Sequence, residues 1–246
     1  MIELKFKFWR RVITICTITT IFSGSLLSVI SLSQAVARGG DLNSEGNPSG
    51  RKRAGGNRSQ CSQLRTNNLI ALVPENNEVL TTKEYPEFWY YLPFPRDSNS
   101  PPARFRLLDE QKKSVLSKTL QLSLPDKKGI AKFSLPSTEK PLAIGQRYHW
   151  YFSITCVNNQ GTQSKISVNG WIERVESDST LVEHLKQTKP QDKYFLYIEN
   201  NIWAEAISQL AEYRTIHQKE WVKTLSQYQL EKDASEPISE LEPIFR

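Results

Sequence analysis

The sequence predicts a mainly β fold with a helical tail: an antiparallel immunoglobulin-like β-sandwich followed by a C-terminal helical hairpin. Three observations carry this reading. Short apolar runs recur through residues 68–176 with turn chemistry between them and no helical pattern. Pro74, Pro93, Pro95, Pro101, Pro102, Pro125, Pro136 and Pro141 fall between or at the ends of those runs, where a missing amide does not damage a ladder. After Asp178 the apolar period changes from two to that of a helix. A closed barrel is the alternative arrangement of the same strands.

The central strand is the run RYHWYFSITCV, residues 147–157, preceded by Gly145 and followed by the turn formers Asn158, Asn159, Gln160 and Gly161. On a period of two, Tyr148, Trp150, Phe152, Ile154 and Cys156 share one face. That face is a core. His149, Tyr151, Ser153 and Thr155 share the other, which is either a binding surface or the underside of a further layer. Further strands are expected over 69–73, 87–92, 104–108, 115–124, 130–135 and 166–175. Helices follow from Leu181, Val182 and Leu185; from 192–198; from Trp203, Ala206, Ile207, Leu210 and Ala211; and from Trp221, Val222, Leu225 and Tyr228.

Outside this body the composition changes. Residues 1–37 have the order of a secretory signal: a basic start with Lys5, Lys7, Arg10 and Arg11, an uncharged apolar stretch, and Ala35-Val36-Ala37 as a cleavage site after Ala37. The apolar stretch is long enough that a retained membrane anchor is the alternative. Residues 38–62, rich in Gly, Asn, Ser and Arg, read as a disordered linker. The β domain is then 63–176, the helical segment 177–233, and 234–246 a flexible acidic tail.

Formal net charge is +6, and because the leader holds four of the cations against Glu3, the remainder carries about half that surplus. That is too little to make a nucleic-acid binder without clustering on one face. Cys16 lies inside the leader, which leaves Cys61 and Cys156 as each other's only intramolecular partner in an oxidising compartment. Two free thiols are the alternative. No second Cys or His lies at zinc-ligand spacing from either.

Several motifs carry a resemblance. Ala71-Leu72-Val73-Pro74-Glu75, Leu80-Thr81-Thr82 leading to Pro86-Glu87-Phe88-Trp89-Tyr90-Tyr91-Leu92-Pro93, the central strand, Gly170-Trp171-Ile172 and the helix over 200–214 resemble an exported cyanobacterial family known as domain of unknown function 928. The likeness implies export and a cyanobacterial source. It implies no activity, cofactor or catalytic residue.

The chemistry points the same way. His149, His184 and His217 are the only histidines, and none has a ligand set around it; motifs for a serine nucleophile, a metalloprotease or a phosphate-binding loop are missing. No catalytic, cofactor-binding or metal residue is expected. Trp89, Tyr91, His149, Tyr151 and Trp171 form the candidate ligand face, since each can lie opposite its strand's main apolar set. The first expectation is that helices cover these rings and that the protein is a non-enzymatic module binding another envelope protein or glycan. The second is a carbohydrate-binding module that stacks sugars on the rings, and the third a hydrolase with an unrecognised site.

Overall fold

A computed structural model describes residues 52–53, 69–93, 101–157 and 163–244. The strands are β1 (Ile70–Ala71), β2 (Glu78–Thr81), β3 (Glu87–Leu92), β4 (Ala103–Leu108), β5 (Leu120–Leu122), β6 (Gly129–Ser134), β7 (Arg147–Val157), β8 (Gln163–Arg174) and β9 (Ser239–Glu240). Four helices, α1 (Ser179–Gln187), α2 (Lys193–Glu199), α3 (Trp203–Glu212) and α4 (Gln218–Ser226), lie between β8 and β9. The strands form a four-stranded sheet in the order β1-β3-β6-β9 and a five-stranded sheet in the order β2-β8-β7-β4-β5. Neither sheet closes into a barrel.

Alternation along β7 falls as its sequence requires. Trp150, Phe152 and Ile154 are buried to 1% exposure or less and enter the layer between the sheets. There they meet the inward set of β3: Tyr90 stacks on Phe152 with centroids 4.1 Å apart and planes at 16°, and Phe88 meets Phe105 of β4 at 4.7 Å. Burial of each such ring stabilises the fold by about 1.5–3 kcal/mol before entropy is counted. At Gly170 on β8 a Cβ would sit 2.7 Å from Trp150 Cζ2 and 3.0 Å from the Asn77 carbonyl oxygen. Only a glycine lets the indole and the turn before β2 approach so closely.

Both sheets are mixed, where the strand pattern predicts antiparallel pairing. Edge strand β2 runs parallel to β8, and β9 runs parallel to β6. In each case the strand is brought in by a connection that the apolar pattern does not reveal. β2 is four residues behind a turn in which Asn77, at φ 63°, donates from its N–H to the Pro74 carbonyl at 3.0 Å. β9 lies in the acidic stretch expected to be flexible. That stretch is instead built into the fold: Leu241 is 1% exposed, its N–H donates to the Lys132 carbonyl at 2.8 Å, and the Ser123 N–H donates to the Glu242 carbonyl at 2.9 Å. The tail thus ties the edges of both sheets. Part of the expected linker is placed as well, since Ala71 N–H donates to the Lys52 carbonyl at 2.8 Å and the Arg53 guanidinium donates to the Tyr228 carbonyl.

The strands of the four-stranded sheet are apolar on both faces because both are covered. Leu69, Ala71, Phe88, Tyr90, Ala131 and Phe133 face the other sheet. Ile70, Leu72, Trp89 and Ile130 face a second apolar layer made by Tyr194, Ile207, Leu210, Ala211, Trp221 and Leu225 of the helices. The helical segment therefore packs on the sheet rather than protruding from it. Polar handles fix its position: Trp203 Nε1–H donates to the Leu72 carbonyl at 3.0 Å, Trp89 Nε1–H to Ser208 Oγ at 3.1 Å, and Tyr228 O–H to the Val73 carbonyl at 2.7 Å.

Glu205 of α3, 2% exposed, is the joint between this layer and the five-stranded sheet. Its Oε1 accepts from Thr81 Oγ1 at 2.9 Å, Thr82 N–H at 2.9 Å, Thr82 Oγ1 at 3.0 Å and Lys83 N–H at 3.1 Å. A carboxylate is suited to this place because the chain leaving β2 turns its amides outward, and buried N–H groups must be paired.

Candidate functional site

β4, β7 and β8 alternate in step, so their outward residues form rows across the five-stranded sheet. The register sets His149 opposite Trp171 and Leu108, and Tyr151 opposite Asn169 and Arg106. The result is a ladder of rings and guanidinium groups. The Arg147 guanidinium lies 4.6 Å from the Trp171 ring centroid; Trp171 stacks on His149 at 4.6 Å with planes at 14°; His149 meets Tyr151 at 4.2 Å; and Arg106 lies 5.9 Å from the Tyr151 ring. Arg147 also holds Glu78 of β2 at 2.5 Å. His149, Tyr151 and Trp171 are all half-exposed. Such stacked and cation–π contacts contribute about 0.5–1.5 kcal/mol each, enough to fix the rings without burying them.

The polar atoms of the ladder are also ordered. Tyr151 O–H donates to His149 Nδ1 at 2.8 Å, and His149 Nε2–H donates to Asn169 Oδ1 at 2.9 Å, the tautomer set by Asn169 Oδ1 being an acceptor only. Partial burial, and then the positive charge of Arg147, lower the His149 pKa below its ordinary 6.5, although the bond to Asn169 works the other way. Partial burial raises the Tyr151 pKa above 10.0 despite Arg106 nearby. The row thus presents a phenol that keeps its proton and an imidazole held by both nitrogens, with Asn169 fixing the ring's orientation. The stacking has a further consequence. His149 and Arg147 both lie against the Trp171 ring, so a ligand at this indole also meets imidazole, hydroxyl and guanidinium groups.

These pKa directions make a prediction. As pH falls below 6.5, the unfolded chain takes up the His149 proton before the folded one does. The stability contributed by the neutral ring is full above 6.5 and is lost as pH falls through the lower folded value. The His149 ring resonances, followed by NMR in wild type and in His149→Gln, are expected to titrate with a midpoint below 6.5. A midpoint at or above that value would mean that burial and the Arg147 charge do not govern the ring.

The five residues read from the sequence as one ligand face are split between two sheets. His149, Tyr151 and Trp171 come together on the five-stranded sheet. Trp89, at 5% exposure, lies under α3 on the helix-covered face of the four-stranded sheet, and Tyr91 packs at the margin of the same helical layer with Asp233 near its hydroxyl. The expectation that helices cover the rings therefore holds for Trp89 and not for Tyr151 or Trp171. Asn169, Arg106 and Arg147 also belong to the site, and period-two alternation from Trp171, from the buried Phe105 and from His149 points to them in turn. Cys156 sits in β7 opposite Ser164, while Cys61 and the cleavage position Ala37 lie outside the described residues. Among the described residues no three His, Cys, Asp or Glu side chains gather as metal ligands, and no helix is long and apolar enough to cross a membrane.

No curated protein and no solved structure matches the chain. The family model described as Domain of Unknown Function (DUF928) matches residues 53–238, from the docked Arg53 through both sheets and all four helices to the approach of β9, and the chain belongs to that family.

Proposed function

We propose that the protein is an exported, non-enzymatic binding module that holds another envelope component on the outer face of its five-stranded sheet. The observation that carries this reading is the half-exposed ladder of Arg147, Trp171, His149, Tyr151 and Arg106. The fold buries Trp89 of the other sheet beneath the helices, yet keeps these rings in contact with solvent and fixed by their mutual contacts. Preorganised aromatic and arginine side chains are the usual anchors of a binding surface. The basic and apolar leader with its cleavage site after Ala37 supports export, and a bridge between Cys61 and Cys156 belongs to the same reading. So do an immunoglobulin-like type for the two-sheet fold and a cyanobacterial source.

The test is retention of the purified protein on an envelope fraction from the source cells. Trp171→Ala and Tyr151→Ala are each expected to reduce retention at least tenfold while melting temperature falls by only a few degrees. Equal retention by folded variants would remove the face from the account.

A further inference from the structure

We infer that the ligand of this face is an anionic polysaccharide, a sugar chain bearing carboxylate or sulfate groups, gripped by Arg104 and Arg106; the inference rests on the ladder being the ligand face. On β4 the inward residues Ala103, Phe105 and Leu107 are each 0% exposed, which turns Arg104 and Arg106 outward, and both are exposed. At about 3.4 Å per residue their Cα atoms stand about 7 Å apart along the strand. The three arginines of the face differ in how their charge is met. Arg147 is neutralised by Glu78 at 2.5 Å. Among the described residues no carboxylate lies within ion-pair distance of Arg104 or Arg106.

The surroundings narrow the ligand class. Arg106 opposes Tyr151, while Arg104 opposes Ser153 on one side and Gln121 on the other. Ser153 in turn opposes Ser167, one row from Asn169. Gln121, Tyr151, Ser167 and Asn169 thus place hydroxyl and amide groups around two guanidinium groups that have no ion-pair partner among the described residues. A protein partner anchored on Tyr151 and Trp171 would depend little on Arg104, whose cross-strand neighbours are polar. A sugar chain with acidic groups can fork onto the arginines and hydrogen-bond to the hydroxyl and amide rows.

Binding of the purified protein to polygalacturonate, dextran sulfate, neutral dextran and polyglutamate, measured by calorimetry at low and moderate salt, tests this. Polygalacturonate or dextran sulfate is expected to bind at least tenfold more tightly than neutral dextran and polyglutamate, more weakly as salt rises, and the stronger of the two names the acidic group. The double variant Arg104→Gln, Arg106→Gln should lose at least tenfold in that affinity with an unchanged melt, while the charge-matched pair Lys127→Gln, Lys128→Gln, exposed in the turn before β6, should not. Neutral dextran or polyglutamate binding equally well, or an arginine double variant that binds like wild type, would overturn the inference. If the double variant keeps its retention on envelope material while Trp171→Ala loses it, the face stands and the ligand class falls.

Discussion

Deleting residues 178–246 is expected to yield a chain that aggregates and binds hydrophobic dye. The deletion removes α1–α4 and β9 and uncovers Ile70, Leu72, Trp89 and Ile130 on one side of the four-stranded sheet. Re-exposing four such side chains costs on the order of 10 kcal/mol at about 1.5–3 kcal/mol each, comparable with the whole net stability of a domain, about 5–15 kcal/mol. The deletion also withdraws Leu241 from the core between the sheets and frees the edge of β6. An exposed apolar face beside an unpaired edge strand favours association. Size-exclusion chromatography with light scattering would decide: a soluble monomeric sandwich would show that the helices are an appendage and not the second half of the core.

The second large effect is expected at Glu205. Glu205→Ala leaves the Thr82 and Lys83 amides and two threonine hydroxyls without their common acceptor. Orphaned buried donors cost about 1–3 kcal/mol each, and the second acceptor of the Lys83 amide at Thr81 Oγ1, partial access of water and rotation of the hydroxyls reduce the sum to about 3–5 kcal/mol. Glu205→Gln keeps one carbonyl oxygen in place and should recover more than half of the loss. Denaturant melts of the three proteins measure this directly. A Glu205→Ala protein within about 1 kcal/mol of wild type would mean that the helical layer is held by its apolar contacts alone.

What the sequence disclosed and what it withheld have physical causes. The parity of residues 147–157 was legible because bulky apolar and polar side chains alternate there without a break, and the structure places Trp150 and Phe152 inward and His149 and Tyr151 outward. The same parity placed Trp89 and Trp171 each on the face opposite its strand's core set. It does not say which sheet a strand joins, and this is why two rings from different sheets read as one surface. Glu205 looks like any acid in the first turn of an exposed helix, because its burial depends on the chain leaving β2, some 120 residues earlier. β2 and β9 are short, and their pairing comes from distant partners, parallel to β8 and β6, rather than from local pattern. Arg53 was legible only as charge in a polar stretch; its anchor is the Tyr228 carbonyl at the far end of the chain.

In the proposed function the helices cover one sheet and the outer face of the other holds the ligand. Hydroxyl-radical footprinting of the protein, free and bound to the envelope fraction, read residue by residue by mass spectrometry, tests it most directly. Trp171, Tyr151 and His149 are expected to be modified in the free protein and protected when it is bound, with Trp89 and Trp221 unreactive in both states. Protection confined to the helices, or a Trp171 as unreactive as Trp89 in the free protein, would contradict it.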